Sequence, residues 1–200
     1  MEQELEIEYK NLLTEDEYQT ILENEYLKLN QDTDYQKISQ TNHYFDTNKA
    51  DLKKQGAALR IRSHDYCNEL TFKVPSHDFL MESNFNLDKN QTEYILNKGS
   101  LKLSQLTSQP IKLNLKNIDL NSTFIHFNTF STLRYEKKDK HNLLVLDQSF
   151  FQNKTMDFEL EVEGENPEDA KKYFNSILNK YNIPLRPALP KIARAEKNKE

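Results

Sequence analysis

The sequence predicts an α+β fold in which antiparallel strands predominate. Eight segments alternate apolar and polar residues, or are enriched in β-branched and aromatic residues, as strands that bury one face usually are. Other segments carry the 3.6-residue periodicity and the capping residues of helices. No stretch rich in proline and glycine divides the 200 residues, so a single domain is expected.

The predicted strands would suffice to close a barrel. They cover residues 2–10, 38–46, 57–65, 68–75, 79–87, 123–137, 142–151 and 155–164. Closing an antiparallel sheet into a barrel turns one face of every strand inward. The side chains on that face would then decide what the protein can enclose.

The two clearest predicted helices begin at capping residues. Thr14 precedes a helix over 15–29, and Glu17 follows it three positions later, as in a capping box. Asn166 precedes a second helix over 167–181. Weaker helical signals cover 88–98, ended by Gly99, and 100–108, and a last helix is expected from near Pro190.

Composition excludes several classes of protein. The formal net charge of −5 argues against nucleic-acid binding that depends on an excess of Lys and Arg. No segment approaches the roughly 18 apolar residues of a membrane span, and the acidic N-terminus does not resemble a signal peptide. Cys67 is the single cysteine, so no internal disulfide can form. We therefore expect a cytoplasmic protein that binds neither membrane nor nucleic acid.

Charges are separated by sign on the predicted strands. The first and last strands place runs of glutamates on one face, whereas LRIR (59–62) and LTFK (70–73) of two middle strands place arginine or lysine there. The acidic positions are Glu4, Glu6, Glu8, Glu159, Glu161 and Glu163, and the basic ones are Arg60, Arg62 and Lys73. For one strand alone the simplest interpretation is a solvated face. A solvated face normally mixes signs, however, because like charges on neighbouring strands repel each other.

The set as a whole indicates a ligand that carries both anionic oxygens and bound cations. Guanidinium and ammonium groups bind phosphate oxygens, and carboxylates bind hard divalent cations. Polyphosphate with a divalent metal has this character. Only three glycines are present, so no glycine-rich phosphate loop exists and side chains would have to bind the phosphates.

In chain order, these residues resemble the CYTH superfamily, the triphosphate tunnel metalloenzymes, and particularly its small single-domain bacterial branch. The Glu-x-Glu-x-Lys signature of that family matches Glu6, Glu8 and Lys10. The match continues through YFDT (44–47), LRIR (59–62), LTFK (70–73), Glu82, Arg134, Asp147, ELE (159–161), Lys191 and Arg194. A single Glu-x-Glu-x-Lys is a weak signal, whereas the ordered set is specific.

The resemblance implies one CYTH-like triphosphate tunnel domain over 1–200, an eight-stranded antiparallel β-barrel with helices packed outside and at one end. It implies metal-dependent hydrolysis of inorganic triphosphate or of a small organic triphosphate inside a charged tunnel, with Mg²⁺ or Mn²⁺ as cofactor. Two alternatives stay open at this point. One is an adenylyl cyclase of the related class IV type, and the other is a non-catalytic protein that binds polyphosphate or a nucleotide.

The resemblance also implies a role for each residue. The expected ligands of the triphosphate are Lys10, Arg60, Arg62, Lys73, Arg134, Lys191 and Arg194, the last of which is alternatively an ion pair at the tunnel mouth. The expected metal ligands are Glu6, Glu8, Asp147, Glu159 and Glu161, and the catalytic carboxylates among them are Glu8, Glu159 and Glu161. Glu82 would balance the basic strands or hold a metal-bound water. On this interpretation Glu8→Gln or Glu159→Gln abolishes turnover and leaves the fold intact, because each removes a repulsive charge.

Overall fold

A computed structural model describes residues 3–28, 34–64, 67–77, 79–106, 115–116, 118–119 and 121–198. The chain folds into two compact units. The first unit comprises Met1–Leu5 and Thr41–Thr129, and the second comprises Glu6–Gln40 and Phe130–Glu200. Among the described residues, no helix is both long enough and apolar enough to span a membrane.

The first unit is built on a sheet with the strand order β1-β6-β5-β4-β3. Its strands are β1 (Gln3–Glu6), β3 (Tyr35–Asp46), β4 (Ala58–His64), β5 (Asn68–Ser76) and β6 (Phe79–Leu87). β5 pairs antiparallel with both β4 and β6. One face of β4 and β5 presents Leu59, Ile61, Leu70 and Phe72, which are buried in the hydrophobic core of this unit. The residues that alternate with them share the opposite face.

Helix α2 (Lys89–Lys98) follows β6 and is capped as its sequence predicts. Asp88 and Gln91 form a capping box at its start, and Gly99 ends it with a left-handed φ of 66°. A 3₁₀ turn at Lys53–Gln55 precedes β4. Thr92 and Ile95 are the buried residues of α2, and Ile95 belongs to the hydrophobic core of the first unit.

The second unit has the strand order β3-β8-β9-β10-β2. Its further strands are β2 (Glu8–Leu13), β8 (Phe124–Asp139, of which 124–129 belong to the first unit), β9 (Asn142–Phe150) and β10 (Met156–Gly164). The helices of this unit are α1 (Glu15–Ile21), continued by a π-helical turn (Leu22–Tyr26), then α3 (Pro167–Lys180) and α4 (Lys191–Lys197). On β10, Phe158, Leu160 and Val162 are buried on the apolar face, and the ring of Phe158 lies 4.8 Å from that of Tyr18 on α1.

The predicted α+β class is confirmed, with strands that pair antiparallel throughout the registers given by the structure. Over the described residues there are ten strands instead of eight. The predicted strand 2–10 is divided at Ile7 into β1, next to β6, and β2, next to β10. The side chain of Ile7 is buried, and its carbonyl accepts a hydrogen bond from the Gly164 amide (3.1 Å). Ile7 itself belongs to neither strand.

The predicted helix over 100–108 is wrong. Ser100–Leu101 form the short strand β7, which pairs with the first residues of β8, and Leu103–Gln105 form a 3₁₀ turn. Gly99 explains the difference, because its left-handed conformation turns the chain back and its carbonyl accepts a hydrogen bond from the His126 amide (2.9 Å). Residues 107 and 108 lie outside the described part of the chain.

The predicted helix over 15–29 is shorter than expected. Its capping box at Thr14 and Glu17 is present, but α1 ends at Ile21 and passes into the π-helical turn. Within that turn the buried Tyr26 donates a hydrogen bond from its hydroxyl to the carbonyl of Leu144 (2.9 Å). Residue 29 lies outside the described residues.

A buried asparagine fixes the segment that leads to α4. Asn11 on β2 is fully buried, and its side-chain amide donates to the carbonyl of Pro184 (3.2 Å) while its Oδ1 accepts from the Arg186 amide (2.5 Å). The Arg186 guanidinium also pairs with both carboxylate oxygens of Glu17 (2.7 and 2.9 Å). These contacts hold the chain against β2 and α1 on either side of residue 185, a few residues before α4 begins at Lys191.

Gly164 permits the close approach of α3 to the end of β10. A Cβ atom at this position would lie 2.9 Å from the Cβ of Ala170 and 2.7 Å from Oδ1 of Asn142. We expect Gly164→Ala to lower the free energy of unfolding by about 1–3 kcal/mol, because the added methyl group overpacks this contact. Urea unfolding of the variant beside the wild type measures the change.

The matched control is Ala170→Gly. On its own this change should lower the free energy of unfolding by about 1 kcal/mol, because glycine has a lower helix propensity than alanine. Combined with Gly164→Ala it should restore part of the lost stability, because it vacates the space that the new methyl group needs. A Gly164→Ala protein as stable as the wild type would contradict the close packing of α3 on β10.

Candidate functional site

Three buried carboxylates meet on neighbouring strands of the second unit. Asp147 of β9 lies directly opposite Glu159 of β10, and Glu161 is two residues further along the same face. One oxygen of each lies within 4.8 Å of the others, and all three side chains are buried. The alternation of β10 causes this, because placing its apolar residues in the core turns the glutamates to the opposite face. Such a cluster can stay ionised only if cations lie beside it.

Arg134 on β8 is the first of these cations. It lies opposite Asp147 in the strand register and binds it bidentately, with Nε 2.8 Å from Oδ1 and Nη2 2.7 Å from Oδ2. Nη2 also donates to Glu161 Oε2 at 2.6 Å. Arg134 therefore holds two of the three carboxylates in fixed orientations.

Lys191, the first residue of α4, contacts all three carboxylates. Its Nζ lies 2.9 Å from Asp147 Oδ2 and 2.6 Å from Glu159 Oε2, and it donates to Glu161 Oε1. Burial alone would lower the pKa of Lys191, but the three negative charges raise it well above its usual value. The ammonium group is therefore charged and stands at the centre of the cluster.

Arg194, one turn further along α4, completes the set. It binds both oxygens of Glu159, at 2.8 and 3.1 Å, and its Nε donates to Asp157 at 2.7 Å. Its Nη1 also donates to the carbonyl of Leu189 (2.5 Å). Sequence reasoning missed Asp157, although it lies two residues before Glu159 and so on the same face of β10.

β2 adds a second layer of charges beside the cluster. Lys10 lies opposite Glu161 in the strand register, and its Nζ is 2.6 Å from Glu8 Oε1. Burial would lower the pKa of Lys10, but Glu8 and Glu161 raise it. Glu8 lies opposite Glu163, and Glu6 is half-buried at the end of β1. In the described part of the chain, the carboxylates close enough to share one cation are Asp147, Glu159 and Glu161, without Glu6 or Glu8.

The pKa values of the three carboxyl groups differ in direction. Burial would raise the pKa of Asp147 and of Glu161, but Arg134 and Lys191 lower both, that of Glu161 well below its usual range. For Glu159, burial prevails over Lys191 and Arg194 and raises the pKa. Glu159 is thus the carboxylate of the cluster that accepts a proton most readily.

The first unit carries the predicted basic residues on one face. Arg60 and Arg62 of β4 lie opposite Thr71 and Glu69 of β5, while Lys73 lies opposite Glu82 of β6. Lys73 and Glu82 form an ion pair between side chains that are each 16% exposed. Nε of Arg62 donates to Asn42 Oδ1 on β3 at 3.2 Å. These four predicted residues are half-buried and lie together on one face of the sheet of their unit.

The buried cluster has the donor chemistry of a site for a hard divalent cation. All three ligands are carboxylate oxygens, the type that Mg²⁺ and Mn²⁺ prefer. The ammonium of Lys191 marks a position from which one cation reaches all three at once. Arg134 and Arg194 hydrogen-bond the same carboxylates, as outer partners that orient metal ligands do.

The ion pairs correct one expectation from the sequence. Glu159 lies between two cations, so Glu159→Gln removes attraction to Lys191 and Arg194 as well as repulsion from Glu161. The variant is therefore expected to lose stability, and its folding has to be measured beside its activity.

Comparison with known proteins shows which family this chain resembles. A family model described as the CYTH domain matches residues 4–195. The Bacillus subtilis (strain 168) protein named "Putative triphosphatase YjbK" is 34% identical over 195 residues, which cover 97% of this chain and 95% of that protein. The similarity therefore spans both sequences almost completely.

Two solved structures are similar over almost the whole chain. A structure titled as a putative adenylate cyclase from Bacillus halodurans has a TM-score of 0.80 and 31% identity, covering 97% of this chain and 98% of that chain. HpAC1 from Hippeastrum, titled as a putative adenylyl cyclase with a dominant triphosphatase activity, has a TM-score of 0.75 and 21% identity, covering 98% and 96%. Since the family model covers nearly the whole chain, the protein belongs to the CYTH domain family.

Proposed function

We propose that the protein is a metal-dependent triphosphatase that hydrolyses inorganic triphosphate or a small organic triphosphate. The observation that carries this proposal is the group of Asp147, Glu159 and Glu161, whose oxygens converge on one cation position. A protein that only bound phosphate would gain nothing from buried carboxylates, because they repel phosphate oxygens. Mg²⁺ or Mn²⁺ is the proposed cofactor. Residues 1–200 together form the proposed triphosphate tunnel domain.

The proposed roles follow from the chemistry of each side chain. Asp147, Glu159 and Glu161 hold the metal, and Glu6 and Glu8 extend the acidic set along β1 and β2. When bound, a divalent cation neutralises charge on the phosphoryl oxygens and orients the attacking water.

The cationic side chains bind the triphosphate and stabilise the charge that spreads over the transferred phosphoryl group. In the second unit these residues are Lys10 and Lys191, and Arg60, Arg62 and Lys73 carry the same cationic chemistry on one face of the first unit. Arg134 orients Asp147 and Glu161 in this proposal, because its nitrogens already bind them. Arg194 has a different role in this proposal. Because it is bidentate to Glu159 and also bound to Asp157, it positions a metal ligand and does not contact phosphate itself.

The relatives support hydrolysis more than cyclisation. The Bacillus subtilis relative is named as a triphosphatase, and the Hippeastrum structure is titled for a dominant triphosphatase activity. Two similar structures also carry an adenylyl cyclase name, so cyclisation of ATP is the alternative to test. Cytoplasmic location and the lack of a nucleic-acid partner remain part of the proposal.

Glu82 has a supporting role in this proposal, because it keeps the basic face of the first unit from repelling itself. Burial would raise the pKa of Glu82, but Lys73 and Arg60 lower it to about 2. The carboxylate is therefore ionised throughout the physiological range and offsets part of the positive charge on β4 and β5.

Hydrolysis is tested by phosphate release from inorganic triphosphate with Mg²⁺, with Mn²⁺ and with a chelator. We expect release that requires the metal and falls at least about 100-fold in Glu159→Gln. Glu168→Gln, at an exposed position in the first turn of α3, is the matched control and should retain full activity. Thermal unfolding of each variant separates lost catalysis from lost folding.

The same preparation should be given ATP as well. Cyclic AMP as the main product would replace hydrolysis with cyclisation. If neither triphosphate nor ATP were turned over with either metal by the folded wild type, the enzymatic proposal would be withdrawn in favour of a binding role.

Acid unfolding tests the role of Glu82. Its pKa is about 2 in the folded protein and about 4.3 in an unfolded chain. A lowered pKa adds stability above the unfolded value, and that stability is lost as pH falls through the folded value. Glu82→Gln should therefore cost about 3 kcal/mol at pH 7, and the deficit should shrink between about pH 4.3 and pH 2.

Glu93→Gln is the matched control, because Glu93 on α2 is 60% exposed in a side-chain pair with Lys89. Its stability should follow that of the wild type at every pH. A Glu82→Gln deficit that stays constant down to pH 2 would contradict the assigned electrostatic role.

A further inference from the structure

Lys191 binds the oxygens that a metal would need. Its ammonium contacts Asp147 Oδ2, Glu159 Oε2 and Glu161 Oε1, one oxygen from each carboxylate of the cluster. The side chain of Lys191 is only 14% exposed. The proposed metal position is therefore filled by a cation that belongs to the protein.

An ammonium group and a divalent cation cannot occupy this position together. Metal–oxygen distances of about 2.0–2.2 Å would put the metal nearer to these oxygens than the nitrogen is now. Two cations bound to the same three oxygens would lie almost in contact and repel each other strongly at a buried site. One of them has to leave.

Lys191 is the cation that can leave. Arg134 binds Asp147 with two nitrogens, and Arg194 binds Glu159 with two nitrogens. Paired hydrogen bonds therefore fix both guanidinium groups. Lys191 makes point contacts from a flexible four-carbon side chain, and it is the first residue of α4, directly after Pro190. A rotation of this one side chain can therefore vacate the cluster while both arginines stay in place.

We propose that Lys191 and the divalent cation are alternative occupants of the Asp147–Glu159–Glu161 cluster. This inference rests on the proposed function. Without metal, Lys191 neutralises the carboxylates and keeps the cluster assembled. When the metal binds, Lys191 moves its ammonium out, and the same group becomes available to a phosphate oxygen. The divalent cation thus competes with the Lys191 ammonium for the carboxylates. Its binding releases that ammonium to bind phosphate.

The first test is the affinity for Mn²⁺, measured by titration calorimetry without triphosphate. Lys191→Met removes the competitor, so we expect the Kd for Mn²⁺ to fall at least about tenfold. Lys180→Met is the matched control, because the Lys180 ammonium pairs with Glu25 at 2.5 Å and not with the three carboxylates of the cluster. Its Kd should equal that of the wild type.

The second test uses the wild type alone, so it holds even if Lys191→Met folds poorly. Reductive methylation of lysines, followed by mass spectrometry of peptides, reports how accessible each ammonium group is. We expect slow modification of Lys191 without metal and modification several-fold faster with saturating Mn²⁺. Lys89, which is 84% exposed, should react at the same rate in both conditions.

The outcomes separate this inference from the proposed function. If Mn²⁺ binds the wild type, but Lys191→Met binds it no more tightly and Lys191 reacts equally with and without it, the exchange is refuted and the metal-dependent function stands. If Mn²⁺ binds neither the wild type nor Lys191→Met, both proposals fail.

Discussion

The structure of the second unit depends on the burial of three carboxylates whose oxygens lie within 4.8 Å of one another. Removing such charges from water costs several kcal/mol each unless cations compensate them. Arg134 comes from β8, and Lys191 and Arg194 come from α4. Ion pairs with the carboxylates of β10 therefore contribute to the position of α4. The same cations orient the carboxylates. The groups that offset the cost of burying the charges therefore also fix the geometry of the site.

β10 serves the core and the site at once because its two faces differ completely. Phe158, Leu160 and Val162 are buried on one face, with the ring of Tyr18 against Phe158. Glu159 and Glu161 lie on the other. A slip of one residue in the register would put carboxylates into the core, so the strand has essentially one acceptable pairing. This explains how a strand rich in like charges can be specified without ambiguity.

Features that depend on neighbouring residues in the sequence, such as strand faces and helix starts, could be predicted. The alternation of β10 gave the glutamate face, and the capping residues gave the starts of α1 and α3. The break at Ile7 could not be predicted, because it depends on a hydrogen bond from Gly164, far away in the chain. Nor could the pairing of Lys191 with all three carboxylates, since a short helix after a proline carries no signal of its tertiary partner. Asp157 could have been found, because it continues the charged face by the same two-residue step.

The order of the cluster along the chain has a consequence for folding during synthesis. Asp147, Glu159 and Glu161 leave the ribosome before Lys191 and Arg194 do, since α4 follows β10 in the sequence. Arg134 is then the one cation of this set that is already available to them. β9 and β10 can therefore dock early only with the remaining charge neutralised by protons or by cations from solution. Lys191 and Arg194 can join the cluster only after α4 has been synthesised.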